Sequence, residues 1–256
     1  MKLAANMAML ALLVAGLGTG VSPAGAASLD LQVSPDVVEV GAFFRGHWLT
    51  VSGRIPAGAE AVMEVVGATA TEHLLRKGRR GGLWMNVGEV EINQAPSLYL
   101  AASTRPELLT AAKPEAGWGY QALRSRITLG GDLKPGEREM SLDQFFQLKE
   151  SEAIYDVSPR AVKVSGTSGD LRTVQGTFQV PTNIKPGDYE VCLSVVQNGE
   201  LIAKKCTALK VEMVGFPAAM SALAYQHGAT YGILAVLIAI VTGFAMGYLF
   251  KGGGGH

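Results

Sequence analysis

The sequence predicts a mainly β protein, with two β-sandwich units, a helical connector between them and one membrane-spanning helix at the C-terminal end. Three observations carry that prediction. Short apolar runs with period-two alternation, divided by Gly, Pro and Asn, fill residues 27–103 and return over 154–214. Residues 104–153 lose that pattern and carry helix-start signals instead. The segment "YGILAVLIAIVTGFAMGYLF", residues 231–250, contains no charged residue.

The chain begins with Lys2, an uncharged run from Leu3 to Leu17, the breakers Gly18, Gly20 and Pro23, and then Ala24-Gly25-Ala26. A basic start, an apolar core too short to span a bilayer and a small-residue exit predict a secretory signal over 1–26. Removing it takes Lys2 from the 22 basic residues and leaves 21 against 22 acidic ones. A mature chain without cationic bias, placed outside the cytoplasm, excludes a nucleic-acid role.

In the first β unit "HWLTVSGRI", "AEAVMEVVG", "GLWMNVGEVEI" and "SLYLAAS" read as strands. Between the second and third lies "LLRKGRRGG", with Arg76, Lys77, Arg79 and Arg80 within five positions. That spacing places the cations at a turn or edge, and Trp84 just beyond is expected to pack inward. Three readings stay open for the cluster. It contacts a partner or anionic lipid, it is a solvated tip that discourages edge pairing, or it binds a small anion.

The connector opens with Thr104 and Glu107 at capping-box spacing, with Pro106 in the first turn. "GWGYQALRSRITLGG" has the length of a further short helix. "SLDQFFQLKESEA" begins with Ser141 and Gln144 three apart and offers Leu142, Phe145, Phe146 and Ala153 as a partial apolar face.

In the second β unit "KPGDYEV" resembles the turn-then-tyrosine entry to a late strand of immunoglobulin-like sandwiches, with Val191 where antibody domains place a cysteine. At about 60 residues this unit is marginal as an independent core. Cys192 and Cys206, the only cysteines, flank the hairpin signal Asn198-Gly199. Val191, Leu193 and Val195 face Leu201, Ala203, Leu209 and Val211 as apolar sets, so paired positions should sum to an even number. A three-residue loop then sets Cys192 opposite Cys206, predicting a cross-strand disulfide.

The membrane segment, 231–250, spans ~30 Å at 1.5 Å per residue, the thickness of the hydrocarbon core. Residues 215–230 form the approach to it, and Lys251 opens a short cytoplasmic tail, 251–256. One helix with most of the chain before it predicts a single-pass protein of the inner (plasma) membrane whose bulk is periplasmic. Ala235, Ala239, Gly243 and Gly247 recur every four residues, a small-residue stripe suited to packing against a polytopic protein or a second copy of the chain.

Catalytic signatures are missing: there is no G-x-S-x-G, H-E-x-x-H or phosphate-loop pattern. The four histidines are scattered and no C-x-x-C occurs, so no metal, cofactor or catalytic residue is expected.

Four segments, "RKGRRGGLWMN", "APSLYLAASTRPEL", "VPTNIKPGDYEVCLSV" and "YGILAVLIAIVTGFAMGYLFK", resemble a family of bacterial exported transmembrane proteins first grouped from alphaproteobacteria. The resemblance implies no catalytic residues. It implies a gene neighbourhood with sulfite-exporter-type permeases, hence an accessory role beside an anion transporter. The alternative is a stand-alone periplasmic ligand-binding module tethered to the inner membrane.

Overall fold

The computed structural model describes residues 29–110, 117–131, 133 and 136–250. The expected signal, 1–26, and tail, 251–256, lie outside the described residues.

Alternating apolar side chains build most of the strands, and two sheets built from them face one another. The smaller joins β1 (Asp30–Ser34), β3 (His47–Pro56), β11 (Leu171–Val180) and β10 (Lys163–Ser168) in that order. The larger runs β2 (Val37–Val40), β13 (Glu200–Met213), β12 (Gly187–Gln197), β4 (Glu60–Gly67), β7 (Tyr99–Ser103) and β9 (Tyr155–Ser158). Leu49, Val51 and Ile55 from one sheet and Met63, Val65, Val191, Leu193 and Leu209 from the other close a fully buried core between them. This strand order is that of an immunoglobulin-type sandwich. At the entry to β12, the Tyr189 hydroxyl donates to the Lys185 carbonyl at 2.7 Å, which is the tyrosine-corner contact.

The mainly β class and the C-terminal apolar helix are as the sequence predicts. The partition into two sandwiches is corrected. β3 pairs along its length with β11, and β4 with β12, so strands from 27–103 and from 154–214 share both sheets. A ~60-residue β unit exposes too much of its apolar surface to stand alone, and here each half supplies the other's missing neighbours.

The connector and a long hairpin form a third layer. β5 (Thr69–Arg80) and β6 (Leu83–Pro96) pair with each other, and β8 (Thr128–Gly130) extends them. The helices α1 (Glu107–Thr110), α2 (Gly119–Arg126) and α3 (Glu137–Ser151) accompany them. Phe145, Phe146, Leu123, Trp118 and Ile92 from this layer bury Val62, Tyr99, Ala101, Tyr155 and Val196 on the outer face of the larger sheet. Sheet strands β4 and β7 are therefore covered on both sides, which is why "AVMEVV" and "YLAAS" show little alternation.

Two helix starts differ from expectation. α3 begins at Glu137 after Gly136 in a left-handed conformation, φ 92°, so Ser141 lies inside the helix. Thr104 does not cap α1; its hydroxyl oxygen accepts from the Ala61 amide at 3.0 Å and donates to Glu60, tying the connector to β4.

Beyond β13, the approach segment forms α4 (Gly215–Gln226), and α5 (Gly228–Phe250) begins three residues earlier than expected. α5 has 23 residues, an 18-residue stretch of it reaches a mean hydropathy of 2.4, and none of its residues is buried by the rest of the chain.

A chain ended after residue 153 lacks β11, β12 and β13. It should show no cooperative thermal unfolding and rapid proteolysis throughout, as followed by circular dichroism and limited trypsin digestion. A cooperative melt from that fragment would establish a self-sufficient first sandwich.

Candidate functional site

Two regions carry chemistry, the hairpin arm and a cleft on the outer face of the larger sheet. The arm turns through Gly81 and Gly82, with φ of 58° and 85°, the positive values that a two-residue hairpin turn requires. Its base, Thr69 and Pro96, joins the body at the end of the larger sheet where Gly67 pairs with Tyr189 and Tyr189 with Leu209. That is also the end at which β13 leads to the membrane helix.

Ion pairs hold the lower arm to α3. Lys149 reaches Glu72 at 2.7 Å and Arg76 reaches Glu137 at 2.6 Å. The structure thus divides the predicted cluster: Arg76 is engaged with α3, while Lys77, Arg79 and Arg80 form no ion pair among the described residues. Trp84, expected to pack inward, is 73% exposed, with Leu83 and Met85 beside it. The tip extends past the start of α3, so no layer covers either face. Arg79 sits across from Trp84 and Arg80 across from Leu83, so one face of the tip presents Lys77 and Arg79 with Trp84, and the other presents Arg80 with Leu83 and Met85.

The disulfide forms as predicted between Cys192 and Cys206, which are directly paired. The route to that register differs from the expected three-residue loop. Asn198 and Gly199, both at positive φ, make a two-residue turn, and a bulge at Ile202 then shifts the pairing by one. Leu201 consequently lies on the outer face opposite Val196, away from the sandwich interior where the sequence pattern placed it.

The same outer face holds the cleft, which sequence reasoning missed. Glu64 lies opposite Cys192, Ser194 two residues further along on the same face, and Lys204 directly across from Ser194. Trp118, Leu201 and Arg126 complete a space of about 280 Å³. Glu64 is buried, and its Oε1 accepts from the Tyr99 hydroxyl at 3.0 Å. That hydroxyl accepts in turn from the Gly119 amide at 2.9 Å. Gly119 is required there: at φ 80° any Cβ would lie 2.1 Å from the Leu109 carbonyl oxygen.

Desolvation by burial raises the Glu64 carboxyl above the usual 4.5, against the opposing pull of the Tyr99 hydrogen bond, Lys204 and Arg126. Burial likewise pushes the Tyr99 phenol well above its ordinary range, so it stays a neutral donor. At the floor of the cleft the Ser194 Oγ is wholly buried and has no hydrogen-bond partner among the described residues. Lys204 and Arg126 are exposed at the rim, and Arg126 donates to the Gly117 carbonyl at 2.6 Å. The one signal legible in the sequence was a lone carboxylate inside the apolar run "AVMEVV".

Ligand atoms for a metal cluster at Glu190, Cys192 and Cys206. Both sulfurs are committed to the disulfide and so cannot serve as thiolate ligands. On α5, Ala235, Ala239, Gly243 and Gly247 are exposed along the helix, and nothing lies within 4 Å of a Cβ built at either glycine.

A transmembrane family described as "Putative transmembrane protein (Alph_Pro_TM)" matches residues 28–252. No curated protein gives a significant sequence match. Among solved structures, murine CRIg is similar at 7% identity over 73% of this chain and 98% of its own, with a TM-score of 0.25.

Because the folded state raises the Glu64 pKa, the stability this group contributes is complete below 4.5 and is lost as pH rises through the raised value. Glu64→Gln keeps an acceptor for Tyr99 and removes the titration. It should raise Tm at pH 7 to 8, by ~2–4 °C for each kcal/mol of charge burial relieved, with the gain vanishing near pH 4. An equal gain at every pH in thermal melts would place the cause elsewhere.

Proposed function

The chain belongs to this transmembrane-protein family, and we propose that it is a non-catalytic, extracytoplasmic accessory protein of the inner membrane that docks on a membrane partner through its hairpin arm. As a single-pass member with one C-terminal apolar helix, it keeps its folded body beside the bilayer. A disulfide fits an oxidising compartment, and Lys251 after the helix fits a cytoplasmic end.

The observation that carries the docking role is the arm tip. Leu83, Trp84 and Met85 are exposed beside Lys77, Arg79 and Arg80, on a ribbon otherwise secured to the body. Trp, Met and Arg are the residue types enriched at protein interfaces, and a charged tip that served only solubility would have no use for the tryptophan. The mixed faces suit an acidic, partly apolar loop of a polytopic protein, such as a transporter for sulfite- or sulfonate-type anions. The small-residue stripe of α5 offers that partner a second contact within the bilayer.

A photo-crosslinking residue at Met85 in the full-length membrane-bound chain, followed by affinity purification, should recover a polytopic protein in stoichiometric yield. Trp84→Ala combined with Arg79→Glu should lower recovery about tenfold or more without changing Tm. Recovery of no membrane protein, or undiminished recovery by the variant, would overturn the docking role.

A further inference from the structure

We propose that the cleft on the outer face of the larger sheet binds a small organic anion, a carboxylate or sulfonate of a few carbon atoms. The unpaired hydroxyl of Ser194 at its floor is the leading observation. A wholly buried hydroxyl without a partner is costly, because no hydrogen bond compensates its desolvation, and Ser194 is among the residues that line the cleft. Directly across the strand pair stands Lys204, and Arg126 enters from the end of α2. Neither makes an ion pair among the described residues, so both are placed to meet one anionic headgroup above the Ser194 hydroxyl.

The remaining lining fixes the size and the tail. Trp118 and Leu201 give apolar walls, and about 280 Å³ lies just below the ~300–1,000 Å³ range of drug-sized ligand cavities, which suits a smaller solute. A nucleotide or a sugar chain exceeds it. Glu64 is the one acidic side chain lining the space. Its burial disfavours the charged carboxylate and so lessens the repulsion an anion would meet.

The elements involved are built rather than incidental. The bulge at Ile202 is what turns Lys204 outward: without it Ser194 would pair with Ala203, and Lys204 would point into the sandwich core. The disulfide two residues from each of Ser194 and Lys204 holds that register. The site is independent of the arm, so failure of either proposal leaves the other standing.

The test uses the full chain in mild detergent. Of the three tryptophans, Trp48 and Trp84 are exposed, so Trp48→Phe with Trp84→Phe leaves Trp118 in the cleft as the sole indole. Propionate or methanesulfonate should produce a saturable change in Trp118 emission, while propionamide and ethylammonium should not. Lys204→Gln should weaken the response about tenfold or more. Ser194→Ala should weaken it severalfold while leaving Tm unchanged or higher, since it deletes an unsatisfied buried group. Calorimetric titration of the unsubstituted chain with the same four solutes reads the same outcome should the tryptophan changes disturb folding. No saturable binding of either anion at millimolar concentration, equal binding of propionamide, or a Lys204→Gln variant that binds as before would overturn the proposal.

Discussion

Burial of the middle of the larger sheet, β4 with the neighbouring stretches of β7 and β12, on both faces is the constraint on which the rest of the structure depends. Its inner face closes the sandwich through Met63, Val65, Val191, Leu193 and Leu209. Its outer face closes against the inserted helices and hairpin through Val62, Tyr99, Ala101, Tyr155 and Val196. β12 and β4 therefore sit between two apolar layers, with almost no water to satisfy a stray polar group. Polar atoms in such strands are costly unless paired. Glu64 and Ser194 are the two polar side chains that β4 and β12 bury, and both line the same cleft.

Register converts that constraint into chemistry. Along β12 and β13 a shift of one residue exchanges the inner and outer faces. The type of turn set by Asn198-Gly199 would, if carried through, place Lys204 on the inner face; the bulge reverses this after three residues. The Cys192–Cys206 bridge lies beyond the bulge, on the stretch whose pairing the cleft requires. Closing a short loop, it stabilises by at most ~3 kcal/mol in the chain-entropy account. Its larger consequence is specificity of pairing on an outer face where exposed, polar side chains discriminate registers weakly.

Much of the fold was legible, and the illegible parts share one cause. Most sandwich strands, the apolar helix, the turn-then-tyrosine entry at Tyr189 and the cysteine pairing follow from local pattern, because turn chemistry and period-two alternation act over a few residues; β5 and β8, which lie in stretches that read as a turn or edge and as a helix, do not. Which strands pair does not. β3 meets β11 across more than a hundred intervening residues, and no local signal distinguishes that from two separate sheets. Similarly Thr104 matched a helix cap by spacing, yet its hydroxyl was taken by β4, a competitor distant in sequence. Trp84 was assigned inward on apolarity alone, and the arm overshoots the layer that would have covered it. The cleft escaped notice because its residues come from β4, β12, β13 and α2, and a bulge sets the face of one of them.

The exposed arm tip and the membrane helix make sense together in terms of effective concentration. A two-stranded ribbon is marginal in water by itself, and here the packing of Val90 and Ile92 with the Arg76–Glu137 and Lys149–Glu72 pairs secures its lower part. Its tip offers a handful of side chains, too few to bury the ~800 Å² per partner of a stable soluble interface. Tethering changes that requirement. Once α5 confines the chain to the bilayer, a contact with a membrane partner becomes nearly intramolecular, and a second weak contact adds to the first without the full cost of association. A tip of one tryptophan, two flanking apolar residues and three cations is then of sufficient size, and severing the body from α5 removes the condition under which so small a surface can bind.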